Sequence, residues 1–257
     1  MRVTADVDSI ISLSNELTSQ LVVPPSVAAG VCPRCRTWND SDSNADCENC
    51  CEISARLGCP AVPLSVVSLY CKPSPLRDWL TCYKGRIDDS EPFIESYVPN
   101  VRALLGRFII EHGRAIGALS DGLDGLVVVP STDRPGPHPL EEIIRSLDID
   151  IPVLPILRRG HGDLGFRKPS RDGYEVTVTG HTGQRLVVVD DVYTTGARIN
   201  SAAYALVQAG CTLGAAIVVA RRVNPGYSEA AQEFWNGQRA KTFDWAASPV
   251  VSEGNHE

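Results

Sequence analysis

The stretch RLVVVDDVYTTGARINSAAYAL, Arg185 to Leu206, runs from apolar residues into two adjacent carboxylates and then into Thr-Thr-Gly. Asp190 and Asp191, at the exit of such a run, can accept hydrogen bonds from vicinal hydroxyls, directly or through a hydrated cation. They would also stabilise positive charge developing on a sugar ring. Taken alone, an acidic pair at a strand exit equally serves to cap a helix. Thr194, Thr195, Gly196 and Ala197 follow where the next helix must begin. Unpaired amides and the helix dipole attract an anion at that place. Gly196 lets the backbone approach the anion closely, and the two threonines add hydroxyl donors. The order describes a ribose followed by a phosphate.

A second set of chemically capable residues lies upstream. Eight of the nine cysteines fall between Cys32 and Cys82, and CPRC (Cys32, Cys35) and CENC (Cys47, Cys50) repeat the same two-residue gap with eleven residues between the pairs. Two such thiolate pairs complete a tetrahedron around one Zn²⁺. The intervening loop leaves room for two short strands. The segment has too few apolar residues to form a core without metal, although Trp38 supplies some packing. Cys51, next to Cys50, leaves the fourth ligand open. Cys59, Cys71, Cys82 and Cys211 lack the spacing and read as buried small hydrophobes.

The elements that position these residues follow from periodicity. Leu126–Pro130, Val153–Leu157, Leu186–Val189 and Gly214–Ala220 are short apolar runs separated by helical patterns, with a further strand over Val62–Leu69. YEVTVT adds another extended stretch. Such runs make a parallel sheet covered on both faces, an α/β fold that binds ligands beyond the carboxyl ends of its strands. Ile199, Ala202, Ala203, Leu206 and Val207 form one helical stripe after the Thr-Thr-Gly, closed by Gly210. Helices are also expected over Ser9–Leu21, over Val101–Ile116, and after Ser74 as N-cap with Pro75 in the first turn. His138 begins a further helix through Leu147. The expected division is a helix and zinc-binding segment over 1–60, a sheet domain over 61–245 and a mobile tail over 246–257.

At 257 residues, 43% hydrophobic and 21% charged, the chain suits a globular protein with a substantial core. No apolar run approaches a membrane span, and MRVTADVDSI lacks a signal peptide's basic start, so a cytoplasmic protein is expected. A net charge of -7 argues against wholesale wrapping by nucleic acid.

VVVDDVYTTGA resembles the signature of the type I phosphoribosyltransferases, which bind 5-phosphoribosyl 1-diphosphate. The cysteine pairs ahead of it, with YKGR (Tyr83 to Arg86) after a short helix, look like the ComF/GntX branch, which has an N-terminal zinc-binding segment and is linked to DNA uptake in competent bacteria. The likeness runs from Cys32 to Arg222, strong at both ends and weak between. It implies a phosphoribosyltransferase-like parallel-sheet domain flanked by helices, with a small zinc-ribbon-like segment before it.

The resemblance also implies roles. Asp190 and Asp191 take the ribose hydroxyls as catalytic residues, and Thr194 to Ala197 take the 5-phosphate. Arg198, where many members have Thr, either pairs with that phosphate or faces solvent. The diphosphate loop becomes Pro130 to Gly136, lined by Ser131, Thr132 and Asp133 with Arg134 as charge partner, unless it is a surface turn. Arg158 to Arg171 resembles the catalytic lid, whose basic residues, Lys168 among them, close over diphosphate; a solvated loop is the other reading. Two departures matter. The Arg-Gly-Phe-Asn-Gln segment of ComF relatives is absent, with only Gly165-Phe166 kept elsewhere. Thr194 stands where purine-salvage relatives have Asp, so 6-oxopurine salvage is not expected.

The implied cofactors are Mg²⁺ with the substrate and structural Zn²⁺. The implied partner is 5-phosphoribosyl 1-diphosphate or a ribonucleotide, with transfer to an unknown small acceptor. The competing readings are a non-catalytic nucleotide-binding accessory of the single-stranded DNA-uptake machinery and a zinc-anchored interaction protein with a vestigial site. A homodimer is left open.

Overall fold

A computed structural model describes residues 1–39, 45–86, 90–118, 122–131 and 136–247. Helix α1 (Val7–Leu17) precedes the first cysteine pair, and the second pair opens α2 (Glu48–Leu57). Strand β1 (Leu64–Tyr70) leads through α3 (Pro75–Cys82) and α4 (Val98–Ala118) to β2 (Gly125–Val128) and α5 (Pro139–Ser146). Strands β3 (Leu157–Arg159) and β4 (Tyr174–Val176) form an antiparallel pair of their own. The chain ends in β5 (Arg185–Tyr193), α6 (Ala197–Gln208), β6 (Thr212–Arg222) and α7 (Glu229–Arg239).

The sheet runs β1-β6-β5-β2, parallel throughout. β5 shows what this demands of a sequence. Val187 and Val189 face a core shared with Phe108 and Ile109 of α4, while Leu186 and Val188 face a second core with Leu206 of α6. A central parallel strand with no solvent face has to be apolar on both sides, which is the Val-Val-Val run. The cysteine cluster belongs to the second core, and α1 packs on α4.

Local signals set most helix ends. Ser74 accepts the Arg77 N–H with Pro75 in the first turn of α3. Gly210, at φ +84°, closes α6 in the left-handed conformation that a side chain disfavours. Among the described residues no helix is long and apolar enough to cross a membrane.

Three expectations are corrected. Val153–Leu157 is not a strand of the sheet: Val153 makes a single parallel bridge to Leu126, and Leu157 turns away into β3. Pro152 precedes that stretch and Pro155 interrupts it, and a residue without an N–H cannot continue a ladder. Val31 and Trp38, on either side of the first cysteine pair, form an antiparallel bridge, and the second pair starts a helix where a tight turn was expected; residues 40–44 between the pairs lie outside the described residues. β5 does not stop at Val189. It runs on through both aspartates to Tyr193, paired with β6 as far as Tyr193 with Arg221.

Candidate functional site

The extension of β5 changes the character of the aspartate pair. Asp190 is 2% and Asp191 1% exposed, so the expected solvent-facing strand end is a buried charge cluster. Uncompensated burial of a carboxylate would cost several kcal/mol. Asp191 Oδ2 accepts from the Tyr83 hydroxyl at 2.9 Å and is ion-paired with Lys84, while His138 Nε2 lies 3.9 Å away. Asp190 Oδ1 accepts the Asp191 N–H at 3.0 Å and lies 3.6 Å from an Arg198 nitrogen. Arg198, its side chain 31% exposed, lies 3.6 Å from Asp190 and reaches the Pro130 carbonyl.

Burial raises both carboxyls, and the neighbours divide them. Asp190 is pushed up to about 6 by desolvation and by the charge of Asp191, against the pull of Arg198. At Asp191 desolvation is overcome by Lys84, then His138 and Arg198, which together hold it below the usual carboxylate range. The pair thus takes up its first proton on Asp190.

His138 begins α5 as expected, its Nδ1 accepting the Leu140 N–H at 3.1 Å. Its other nitrogen, with Asp190 and Asp191, completes a group able to approach one cation. Lys84 and Arg198 already offset both carboxylates, so a hard cation here would arrive with a ligand's own negative charge.

Beyond the pair the chain turns into α6 at Gly196, whose φ is +85°. Asp190, Asp191 and Thr194 to Arg198 all line one cavity of about 490 Å³, together with Lys84, Arg86 and Leu164 to Phe166. A carboxylate floor at one end and a helix start at the other suit a hydroxylated, singly phosphorylated ligand. A Cβ on Gly196 would run into the Tyr193 ring. Gly196→Val is therefore expected to cost about 1–3 kcal/mol of stability from the forced backbone angle alone, read from a urea unfolding midpoint. An unchanged midpoint would mean that Tyr193 swings aside and the turn tolerates a side chain.

The cysteine module braces this turn from behind. Cys32 Sγ lies 3.8 Å from Cys50 Sγ, and Cys35 Sγ lies 3.7 Å from Cys47 Sγ. A tetrahedron with metal–sulfur bonds of about 2.3 Å has edges of about 3.8 Å. Cys51 is exposed and hydrogen-bonded to the Asp46 carbonyl, apart from the cluster. Arg36 is buried with Nε and Nη1 unpartnered; burial lowers its pKa, and Cys32 and Cys35 oppose that by favouring its charged form. Thiolates around a cation would account for that guanidinium, since four metal-bound thiolates outweigh a divalent ion.

Two side chains link module and turn. Asn49, inside the second cysteine pair, donates to the Thr195 carbonyl at 2.8 Å. Buried Arg221 donates to the Cys35 carbonyl at 3.2 Å and the Thr194 carbonyl at 2.8 Å, with its guanidinium 4.9 Å from the Tyr193 ring centre.

The loop between β3 and β4 lies against the same turn. The Arg167 N–H donates to Thr195 Oγ1 at 3.3 Å and the Ser170 N–H to Ser201 Oγ at 2.9 Å. Three basic side chains of this hairpin have other partners. Arg158 pairs with Glu175, Arg159 binds the carbonyls of Gly160, Gly162 and Gly173, and Lys168 pairs with Asp163 outside the cavity. Ser131 lines neighbouring cavities, not this one. Thr132, Asp133 and Arg134 lie outside the described residues.

Sequence reasoning singled out YKGR without giving it a role, and missed Asn49, Arg36 and Arg221 altogether. A lone Asn between two cysteines carries no signal of a partner 146 residues away.

No protein-family model matches the chain, and no curated protein matches it. Among solved structures it is similar to an adenine phosphoribosyltransferase from Leishmania tarentolae, at 13% identity and a TM-score of 0.31, over 54% of this chain and 76% of that one. A likeness so distant leaves the reading to the chain's own residues.

Proposed function

We propose that the chain binds 5-phosphoribosyl 1-diphosphate and transfers its phosphoribosyl group to a small acceptor. The observation that carries this is the single cavity in which the buried Asp190–Asp191 pair and the turn Thr194 to Ala197 stand in the order of a ribose and its 5-phosphate. The resemblance of VVVDDVYTTGA to the phosphoribosyltransferase signature supports the same assignment. Zn²⁺, held by Cys32, Cys35, Cys47 and Cys50, completes the module behind the turn.

The second oxygens of the two carboxylates accept from the ribose hydroxyls, and the negative pair favours the oxocarbenium-like charge of the reacting sugar. Amides of Thr195, Gly196 and Ala197 hold the 5-phosphate. A Mg²⁺ ion carried in on the diphosphate, within reach of His138, Asp190 and Asp191, would offset the charge of the leaving group. The acceptor's lone pair forms the new bond to the anomeric carbon as the bond to the diphosphate oxygen breaks. Its electron pair leaves on diphosphate, and the acceptor's proton passes to water. Thr194 offers no carboxylate base, so the protein's contribution is positioning and electrostatics.

The test is calorimetric titration with ribose 5-phosphate and with phosphoribosyl diphosphate plus Mg²⁺, followed by assay of diphosphate release. Titration also reads Asp190. Its ionised form accepts from the sugar, and its pKa is pushed up to about 6, so affinity should decline as pH falls from 7.5 to 5. The decline attributable to Asp190 should approach tenfold per pH unit below that value, about 1.4 kcal/mol each. The ligand's phosphate also titrates near pH ~6, and Asp190→Asn separates the two because it retains only the phosphate's slope. Equal slopes in wild type and variant would remove Asp190 from the sugar contact.

A further inference from the structure

Beside the carboxylate cavity lies a second one of about 520 Å³, sharing Lys84, Arg86, Thr194 and Arg198 with it. Six cations line it: Lys72, Arg77, Lys84, Arg86, Arg198 and Arg222. Glu91 answers Arg77 and Arg86, Asp191 answers Lys84, and Asp190 answers Arg198. Lys72 and Arg222 have no ion pair among the described residues. In a chain of net charge -7, two adjoining unpaired cations at a cavity mouth are a concentration of positive charge that the fold does not need. Desolvation, and then Arg222, Arg77 and Arg86, lower the Lys72 pKa, so these groups face one another and repel. An anion would relieve that repulsion.

The sheet order says which anion. Arg222 ends β6, and Lys72 lies just beyond the end of β1. With the order β1-β6-β5-β2, both stand on one flank of the β5 aspartates, and the end of β2 stands on the other. Resting on the function proposed above, the diphosphate belongs to the β2 side. In-line displacement brings the acceptor from the side opposite the leaving group. The cavity reaches across to Ser131 and His138 on the β2 side. We infer that its other end, at Lys72 and Arg222, is the acceptor site, and that the acceptor is a small molecule carrying carboxylate or phosphate groups that pair with those two side chains.

The experiment uses the full-length protein and calorimetry, with and without saturating ribose 5-phosphate. The probes are pyridine-2,3-dicarboxylate, pyridine-2,6-dicarboxylate and phenyl phosphate, each against its neutral amide or alcohol counterpart, with inorganic diphosphate alongside. At least one dianion should bind about tenfold or more tighter than its neutral counterpart, and Lys72→Gln/Arg222→Gln should remove at least about tenfold of that affinity. The same variant should bind ribose 5-phosphate and inorganic diphosphate as wild type does. A melting curve checks its fold, which neither partly solvated side chain should disturb.

Equal binding of charged and neutral probes, or no binding by any dianion, overturns the inference. So does a loss of inorganic diphosphate binding in the variant as large as the dianion's, which would give these cations to the leaving group. If wild type fails to bind ribose 5-phosphate, the parent reading falls. The dianion arms without sugar phosphate then still decide whether Lys72 and Arg222 form an anion site.

Discussion

Asp191→Asn is expected to destabilise the protein by about 2–4 kcal/mol and to remove ribose 5-phosphate binding together with it. Breaking a buried ion pair from one side typically costs about 3–5 kcal/mol, because the partner charge is left without compensation. The lower figure fits here, since the Lys84 side chain remains 24% exposed and water can partly resolvate it. Tyr83 keeps at most a neutral amide oxygen as acceptor, and its hydroxyl, which burial keeps protonated, has no solvent to turn to.

The same geometry separates the two aspartates. Asp190 holds no lysine and is already drawn toward the neutral form, so Asp190→Asn should cost less than half as much stability while still weakening ligand binding. Linkage gives a further check. Asp190, with its pKa raised above the unfolded value of 3.8, adds stability that is full below that value and lost as pH rises through about 6. Asp191, depressed below 3.8, adds stability present above that value and lost as pH falls through its folded pKa. The site should be most stable between roughly pH 4 and 6, with the acid-side loss missing in Asp191→Asn. Urea midpoints measured from about pH 3 to 7 decide it: an Asp191→Asn protein as stable as wild type at about pH 7 would mean the cluster is not a structural hub.

Removing the proposed Zn²⁺ from the four cysteines should have the other large effect. Structural zinc in small sites supplies about 10–16 kcal/mol of binding free energy that appears as folding free energy. Chelation, or Cys32→Ser/Cys47→Ser, should therefore unfold the segment from Val31 to Leu57 while leaving the sheet intact. The consequence reaches the turn at Thr194 and Thr195, because Asn49 of that module holds the Thr195 carbonyl and Arg221 of β6 bridges the Cys35 and Thr194 carbonyls. Amide exchange at 194–197 should rise along with exchange at 31–57, and ribose 5-phosphate affinity should drop.

Asn49→Ala gives a milder version that keeps the metal. One hydrogen bond of about 1 kcal/mol is lost, so affinity should fall about fivefold with metal content unchanged. Metal analysis finding no zinc in the purified protein, or a chelated protein whose turn exchanges and binds as before, would contradict the brace.

Periodicity and spacing alone placed much of this molecule. Ser74 and Pro75 fix the start of α3, the Ile199–Leu206 stripe and Gly210 fix α6, and the paired cysteine gaps identify the four sulfurs that come together. Each of these depends on residues within one or two turns of one another, or on a repeat that leaves few other arrangements. The prolines before and within the Val153–Leu157 stretch were equally visible, but their effect on an apolar run is settled only by whether a neighbouring strand is there to be paired.

The aspartate pair is the clearest case of what tertiary structure decided. Asp is a poor strand former, so no local signal extends β5 past Val189. The strand continues because β6 supplies a partner through Arg221 and because Tyr83 and Lys84 compensate the charge from 108 and 107 residues away. Arg221 meets the Cys35 carbonyl across 186 residues in the same manner. Local sequence determines which elements form and where chemically capable residues sit along them. The parallel register of β1, β6 and β5 decides which distant side chains meet, because buried charge persists only where the fold brings it a partner.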